Sequence, residues 1–196
     1  MAIIVDKEQK KKDIALGAKE LILEEGINNI TISQIAKAAK IGKGTVYEYF
    51  KNKDEIVFEL VEILMLKHNL VKEANLAELT TTREKIKNFF GFFYVDADKE
   101  LREIYKQFMA IALTSKNEAM LDFQTECYNF YANWMETIVQ EGINKGELKA
   151  ESKEFIMGIF AFAQGLFLMS VTTKAIDDLQ NKINAQIDIL FDLMEK

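Results

Sequence analysis

"TISQIAKAAKIGKGTVYEYFKNKDE", residues 31–55, decides the fold. Thr31 and Gln34 form a capping box, in which the Thr31 hydroxyl accepts from the Gln34 amide and the Gln34 side chain reaches back. A short helix follows, with Ile35, Ala36 and Ala39 on its inner side. "KIG", 40–42, breaks it, and Gly42 serves as the next N-cap. A third helix, "KGTVYEYF", runs over 43–50. Asn52 and Glu55 repeat the capping signal and open a fourth, long helix that reaches about residue 71. Upstream, Ile14, Ala18, Leu21 and Ile22 fall at i, i+4, i+7 and i+8, the stripe of an amphipathic helix over 7–25 that Gly26 stops. Two short helices on a three-residue turn, behind a longer one, make a helix-turn-helix pattern.

The remainder of the chain agrees with an all-α fold. Of 196 residues, 49% are apolar, which excludes a disordered chain, and there is no proline. Periodicity predicts body helices near 82–94, 98–115, 117–142, 152–173 and 176–195, about nine helices in all. "EGINKGELKAES", 141–152, is the clear loop among them. The expected organisation is an N-terminal three-helix helix-turn-helix head, residues 1–53, and a C-terminal ligand-binding and dimerisation domain, 54–196. The fourth helix links the two. A single cysteine, Cys127, excludes an internal disulfide framework and suits a reducing cytoplasm. "MAIIVDKEQKKK", 1–12, lacks the long apolar run of a signal peptide. "FIMGIFAFAQGLFLMSV", 155–171, contains Gln164 and falls short of the roughly 20 residues a span requires. It reads as a buried or interface helix, with no membrane partner expected.

Net charge is −6, yet it is unevenly placed. Residues 1–53 carry ten Lys against seven Asp and Glu, whereas 54–196 carry 15 Lys and Arg against 24 acids. A basic head on an acidic body points to an anionic partner for the head. A recognition helix must also face two ways, toward its own core and into the major groove. Val46 and Phe50, four apart, anchor the inner side of 43–50. Lys43, Gly44, Thr45 and Tyr47 take the outer side, and Gly44 lets the backbone approach DNA closely. Tyr47 and Tyr49 offer hydroxyls to phosphates. Thr31, Ser33 and Lys53 stand at the starts of their helices, where backbone N–H groups favour phosphate.

These residues, "TISQIAKAAKIGKGTVYEYFKNKDEIV", resemble the DNA-binding signature of the TetR (tetracycline-repressor-like) transcriptional regulators, with the match running from Leu21 to about Lys67. "EGINKGEL" is similar to a loop common in that family. The resemblance implies an all-helical homodimer whose head binds a double-stranded operator and whose body binds a ligand that releases it. By position it implies phosphate contacts from Thr31 and Lys53 and recognition-helix contacts from Thr45, Tyr47 and Tyr49, with Gly44 at the close-approach position. The chain departs from the pattern at Lys40, where a turn glycine is usual, and at Gly42, where a capping Ser is common. If residue 40 needs a positive φ, Lys there is strained by about 1 kcal/mol. The head has no Arg, so the expected operator is read by methyl contacts, shape and Lys43 rather than by Arg–guanine pairs.

In the body, twelve of the chain's 21 aromatics lie between Phe89 and Trp134. Met120, Phe123, Cys127, Tyr131, Trp134 and Ile138 form one apolar stripe. Such a stripe is ordinarily core, but so many aromatics suit a hydrophobic effector of low charge. Phe93, Phe108, Met109, Phe123, Cys127, Tyr131, Trp134 and Phe162 are the candidate lining, with His68 as a candidate hydrogen-bonding group. No second His stands near His68 to share a metal, and Cys127 on an apolar stripe reads as inert. Small residues Gly158, Ala161 and Gly165 open one face to another helix. Ile183, Ile187 and Leu190 repeat at 3–4 spacing on the last helix, so the two predict a four-helix dimer interface. Three functions compete: a ligand-responsive regulator, most plausibly a repressor, a DNA-binding adaptor whose body recruits a protein, and an enzyme. One His, one Cys, no paired carboxylates on an apolar face and only a short Gly-x-Gly at 42–44 argue against catalysis, and no cofactor or metal is expected.

Overall fold

The computed structural model describes residues 6–114 and 118–194, and among them it contains nine α-helices and no strand. They are α1 (Lys7–Glu25), α2 (Ile32–Ala38), α3 (Lys43–Tyr49), α4 (Lys53–Ala77), α5 (Thr82–Phe89), α6 (Lys99–Thr114), α7 (Glu118–Lys145), α8 (Ile156–Thr172) and α9 (Leu179–Met194). The chain divides into two compact units. One holds the residues up to Asn69 together with Lys99–Met120, and the other holds Leu70–Asp98 and the residues from Leu121 onward. The division therefore falls later than residue 53, and α6 packs with the head. Its Phe108 ring meets Phe58 edge-on at 5.6 Å, and its neighbour Glu100 takes the Lys19 ammonium at 2.7 Å.

The first unit is built as its caps dictate. Asp6 accepts from the amides of Glu8 and Gln9 to start α1, and Gly26, at φ 78°, ends it with its N–H on the Ile22 carbonyl. Thr31 and Gln34 complete the capping box of α2. Lys40 does adopt the left-handed region, at φ 56°. Gly17, in the middle of α1, meets the α2 end so closely that a Cβ there would lie 2.8 Å from the Cα of Ala39. An isolated glycine within a helical pattern is the sequence signal for such an approach. Ile14, Ala18, Ile22, Ile35, Val46, Phe50 and Leu60 are buried together as the core of this unit. Glu59, buried on α4, pairs with Lys11 at 2.8 Å, and that hydrogen bond is the chief cause of a raised Lys11 pKa.

In the second unit, α4 continues to residue 77, past the expected end near 71. The predicted helix over 82–94 is an α-helix only to Phe89, and Phe90–Phe93 tighten into a 3-10 turn. The predicted loop at 141–152 starts late, because α7 continues through Gly142. A Cβ at Gly142 would lie 2.5 Å from the Thr82 hydroxyl oxygen, so this glycine serves packing, and Gly146, at φ 77°, makes the turn. The core gathers Ile86, Phe89, Phe90, Met135, Ile138, Ile159, Ala163, Ile183, Ile187 and Phe191. Arg83 fastens α5 to α9 through Asp188 at 3.3 Å and Asp192 at 3.0 Å, with its guanidinium over the Phe191 ring.

Lys72 is the unexpected member of this core. It is 6% exposed, and its ammonium donates to the carbonyls of Asn88 and Phe89 at 3.0 and 2.9 Å, closing the end of α5. Burial pulls its pKa from the ordinary 10.5 down to about 8, although nearby Asp98 acts the other way. Between those two values the unfolded chain holds a proton that the folded chain has lost, so stability rises with pH across that window. The unfolding free energy of the wild type relative to Lys72→Met is expected to rise by about 3 kcal/mol from pH 8 to 10.5 in urea titrations. A difference that stays flat over this window would show that burial does not depress the Lys72 pKa.

Candidate functional site

The helix-turn-helix places its short third helix as a two-sided element. Val46 is fully buried and Phe50 nearly so. On the opposite side Lys43 and Gly44 are exposed, Tyr47 is 54% exposed, and Thr45 and Tyr49 are half-buried. The Lys43 ammonium stands 5.9 Å from the Tyr47 ring centre, one turn away, so cation and aromatic share one face. Among the described residues, nothing beyond its chain neighbours and the backbone of its own helix comes within 4 Å of where a Gly44 Cβ would sit. Its missing side chain therefore serves nothing inside the fold. Gly42 caps α3 without a side-chain bond, through its backbone alone.

The flanking candidates are occupied within the chain. The Thr31 hydroxyl donates to the Gln34 side-chain oxygen at 2.8 Å and accepts from the Gln34 amide. Ser33 is exposed beside it on the first turn of α2. Lys53 does not extend outward as expected for a phosphate contact. Its ammonium donates to the carbonyls of Ile27 at 2.8 Å and Ile30 at 2.7 Å, with the Asn28 carbonyl at 3.5 Å.

The predicted ligand residues fall in both units. His68, Phe108 and Met109 belong to the first, where Phe108 is buried against Phe58 and Tyr105 and the other two are half-buried. Phe93, Phe123, Cys127, Tyr131, Trp134 and Phe162 belong to the second, all half-buried. Within it Phe89 is the hub, meeting Phe90, Tyr131, Trp134 and Phe160 edge-on at 5.5–6.1 Å. Phe93 joins through Phe90 and Phe167. Phe89, Phe90, Phe160 and Phe167 were not singled out from the sequence, although the first two lie in the aromatic-rich stretch between Phe89 and Trp134. Lys72 was missed as well. Its signal was position, since Val61, Met65, His68, Lys72 and Leu76 continue one face of α4 at 3–4 spacing. A separate groove of about 450 Å³ runs along α7, lined by polar side chains from Asn133 to Asn144 and by Lys153. Among the described residues no cluster of His, Cys, Asp and Glu is placed to hold a metal ion.

The predicted dimer residues separate into two groups. Gly158, Ala161 and Gly165 are exposed on α8, with open space where each glycine's Cβ would be. Met157, Leu168, Met169 and Val171 are exposed on the same helix, and Ile189 and Leu193 on α9. Ile183 and Ile187 correct the prediction: they are 1% and 0% exposed, and Leu190 packs partly against the same core. Their stripe seats α9 on its own unit, through α5 and α8, and leaves the other face of α9 open. Ala150–Thr172 is long and apolar enough to cross a membrane by composition alone, and 17% of its most apolar 18-residue window is buried.

Comparison with known proteins adds to this geometry. Residues 14–60 match the family model described as bacterial regulatory proteins, tetR family. The chain is 30% identical over 145 residues to the fatty acid metabolism regulator protein of Bacillus subtilis, covering 73% of each chain. A TetR-family transcriptional regulator from Cytophaga hutchinsonii superposes with a TM-score of 0.78 at 17% identity over 98% of both chains. The transcriptional regulator FadR from Bacillus subtilis, in complex with stearoyl-CoA, superposes with a TM-score of 0.63 at 26% identity, over 91% of this chain and 96% of its own.

Two substitutions separate fold from recognition. Lys40→Gly relieves the left-handed backbone and is expected to raise stability by about 0.5–1 kcal/mol, read as a higher urea midpoint at unchanged slope. An unchanged or lower midpoint would mean that Lys40 bears no net strain. Gly44→Ala is expected to keep or raise head stability, by up to about 1 kcal/mol, while weakening DNA binding at least tenfold. Undiminished DNA affinity in that variant would remove Gly44 from the contact surface.

Proposed function

The chain belongs to the tetR family of bacterial regulatory proteins, and from that premise we propose a dimeric, cytoplasmic repressor that a long-chain acyl effector releases from a near-palindromic operator. The carrying observation is the two-sided α3, with Val46 and Phe50 anchored inside and Lys43, Gly44 and Tyr47 presented outside. In this reading Lys43 and Thr45 address base edges, while Tyr47, Tyr49, Ser33 and the Thr31 turn address phosphates. The head is held to a twofold operator by pairing of two chains through the exposed apolar faces of α8 and α9. Each open glycine on α8 admits a neighbouring helix to close range.

The effector class follows from the second unit's aromatic cluster and from the relative bound to stearoyl-CoA. The rings of Phe89, Phe90, Phe93, Tyr131, Trp134, Phe160 and Phe167 offer an apolar surface with no arginine among them. An acyl chain suits that surface, and the buried Lys72 ammonium stands 5.6 Å from the Phe89 ring centre beside it. A second reading is favoured by the same rings, because they already pack on one another. A filled core and the polar groove along α7 suit a body that recruits a protein.

The test is release. A duplex selected by the protein from a random library is titrated with the protein, then with stearoyl-CoA, free stearate and a short-chain acyl-CoA. The expected result is at least tenfold loss of DNA affinity with the long-chain ligands and none with the short one. Indifference to all three would sink the acyl reading and leave the adaptor.

A further inference from the structure

The helix-turn-helix hangs from the short connector that joins α1 to α2, and that connector is gripped from two directions. After Gly26 the chain makes one 3-10 turn, Ile27–Asn29, and reaches Thr31, the cap of α2, by way of Ile30. The side chains of Ile27 and Ile30 are each 2% exposed. The Ile27 N–H donates to the Gln107 side-chain oxygen at 2.7 Å, and the Gln107 amide donates in turn to the Ile22 carbonyl at 2.9 Å. On the other side the Lys53 ammonium takes the Ile27 and Ile30 carbonyls. One peptide segment is thus fixed at its N–H by α6 and at its carbonyls by the start of α4. Gln107 itself is anchored by its helix, which carries Glu100 on Lys19 and Phe108 on Phe58.

We propose that Lys53 and Gln107 are positioning residues for DNA recognition, which set where α2 and α3 sit and make no contact with DNA. Three lines support this. Two of the three N–H bonds of Lys53 are held by carbonyl oxygens at 2.8 and 2.7 Å and the third is turned toward the Asn28 carbonyl at 3.5 Å, so the ammonium is committed to the connector. Thr31 caps α2 immediately after the gripped segment, so a shift of Ile30 moves the start of α2. The turn to α3 is stiff, since Gly17 meets Ala39 without space and Lys40 is locked at positive φ. Displacement of the connector is therefore carried to α3 rather than absorbed. The proposal rests on the DNA-binding reading above.

The experiment compares wild type, Lys53→Met, Gln107→Leu and Gln107→Glu on a duplex selected by the wild type and on a scrambled duplex, from about 50 to 200 mM salt. Tyr47→Ala is the control for the site itself. Both Lys53→Met and Gln107→Leu are expected to bind the selected duplex about tenfold more weakly, with the scrambled duplex bound as before and the salt slope kept. Gln107→Glu keeps an acceptor for the Ile27 N–H but sets a carboxylate oxygen against the Ile22 carbonyl, and is expected to weaken binding to the selected duplex about as much as Gln107→Leu. A salt slope reduced by about 0.9 in Lys53→Met would identify a phosphate ligand and overturn the proposal. Equal loss on both duplexes would reduce the pair to folding alone, and wild-type binding by the variants would remove them altogether. If the wild type selects no duplex that depends on Tyr47, the regulator reading fails and takes this proposal with it.

Discussion

Helices of seven residues do not persist alone in water. Both α2 and α3 have that length, so everything the head presents depends on what is buried beneath them. Val46 and Phe50 supply the inner side of α3, Ile35 and Ala36 that of α2, and α1 supplies the surface they rest on. This constraint explains why the outer side is free to carry glycine, lysine and tyrosine. None of those residues is needed to make the helix stand. It also explains the tolerance of a strained Lys40 in the turn, because burial on either side of the turn outweighs a strain of about 1 kcal/mol.

What could be read from the sequence was what local chemistry states outright. The capping box at Thr31 and the stop at Gly26 act within four residues of themselves, so the chain displays them directly, whereas the left-handed turn at Lys40 was suggested only by the family pattern. Periodicity found the apolar stripes but could not say what lies across from each. Ile183 and Ile187 carry the same spacing whether they face their own unit or a second chain, and they face their own. Lys72 and Gln107 were hidden for another reason. Each reaches a backbone group far along the chain, 16 or more residues away for Lys72 and 80 for Gln107, and backbone partners leave no mark in the sequence.

The exposure of α8 is a physical demand rather than a detail. Met157, Leu168, Met169 and Val171 stand open beside Gly158, Ala161 and Gly165 on a helix of high mean hydropathy. A chain that leaves such a face bare invites association. Small residues on that face favour another helix at close range, and the isologous solution, helix against its own copy, needs no second gene product. In the proposed dimer the same symmetry would supply the two recognition helices that a near-palindromic operator requires.

An effector that enters the body has to open a cluster already closed on itself. Phe89 alone makes four edge-on ring contacts, each worth about 0.5–1.5 kcal/mol beyond simple burial. Parting them costs roughly 2–6 kcal/mol before any ligand contact is made. A buried methylene returns about 0.8 kcal/mol, so a two- or three-carbon acyl group recovers about 2 kcal/mol and leaves the rings closed. A chain of well over ten carbons exceeds the whole cost. On these magnitudes the packed aromatic core and a ligand site are not opposed readings of one region. If the proposed acyl effector binds there, the ring contacts would set its minimum length, and a shorter one would leave the core as it is.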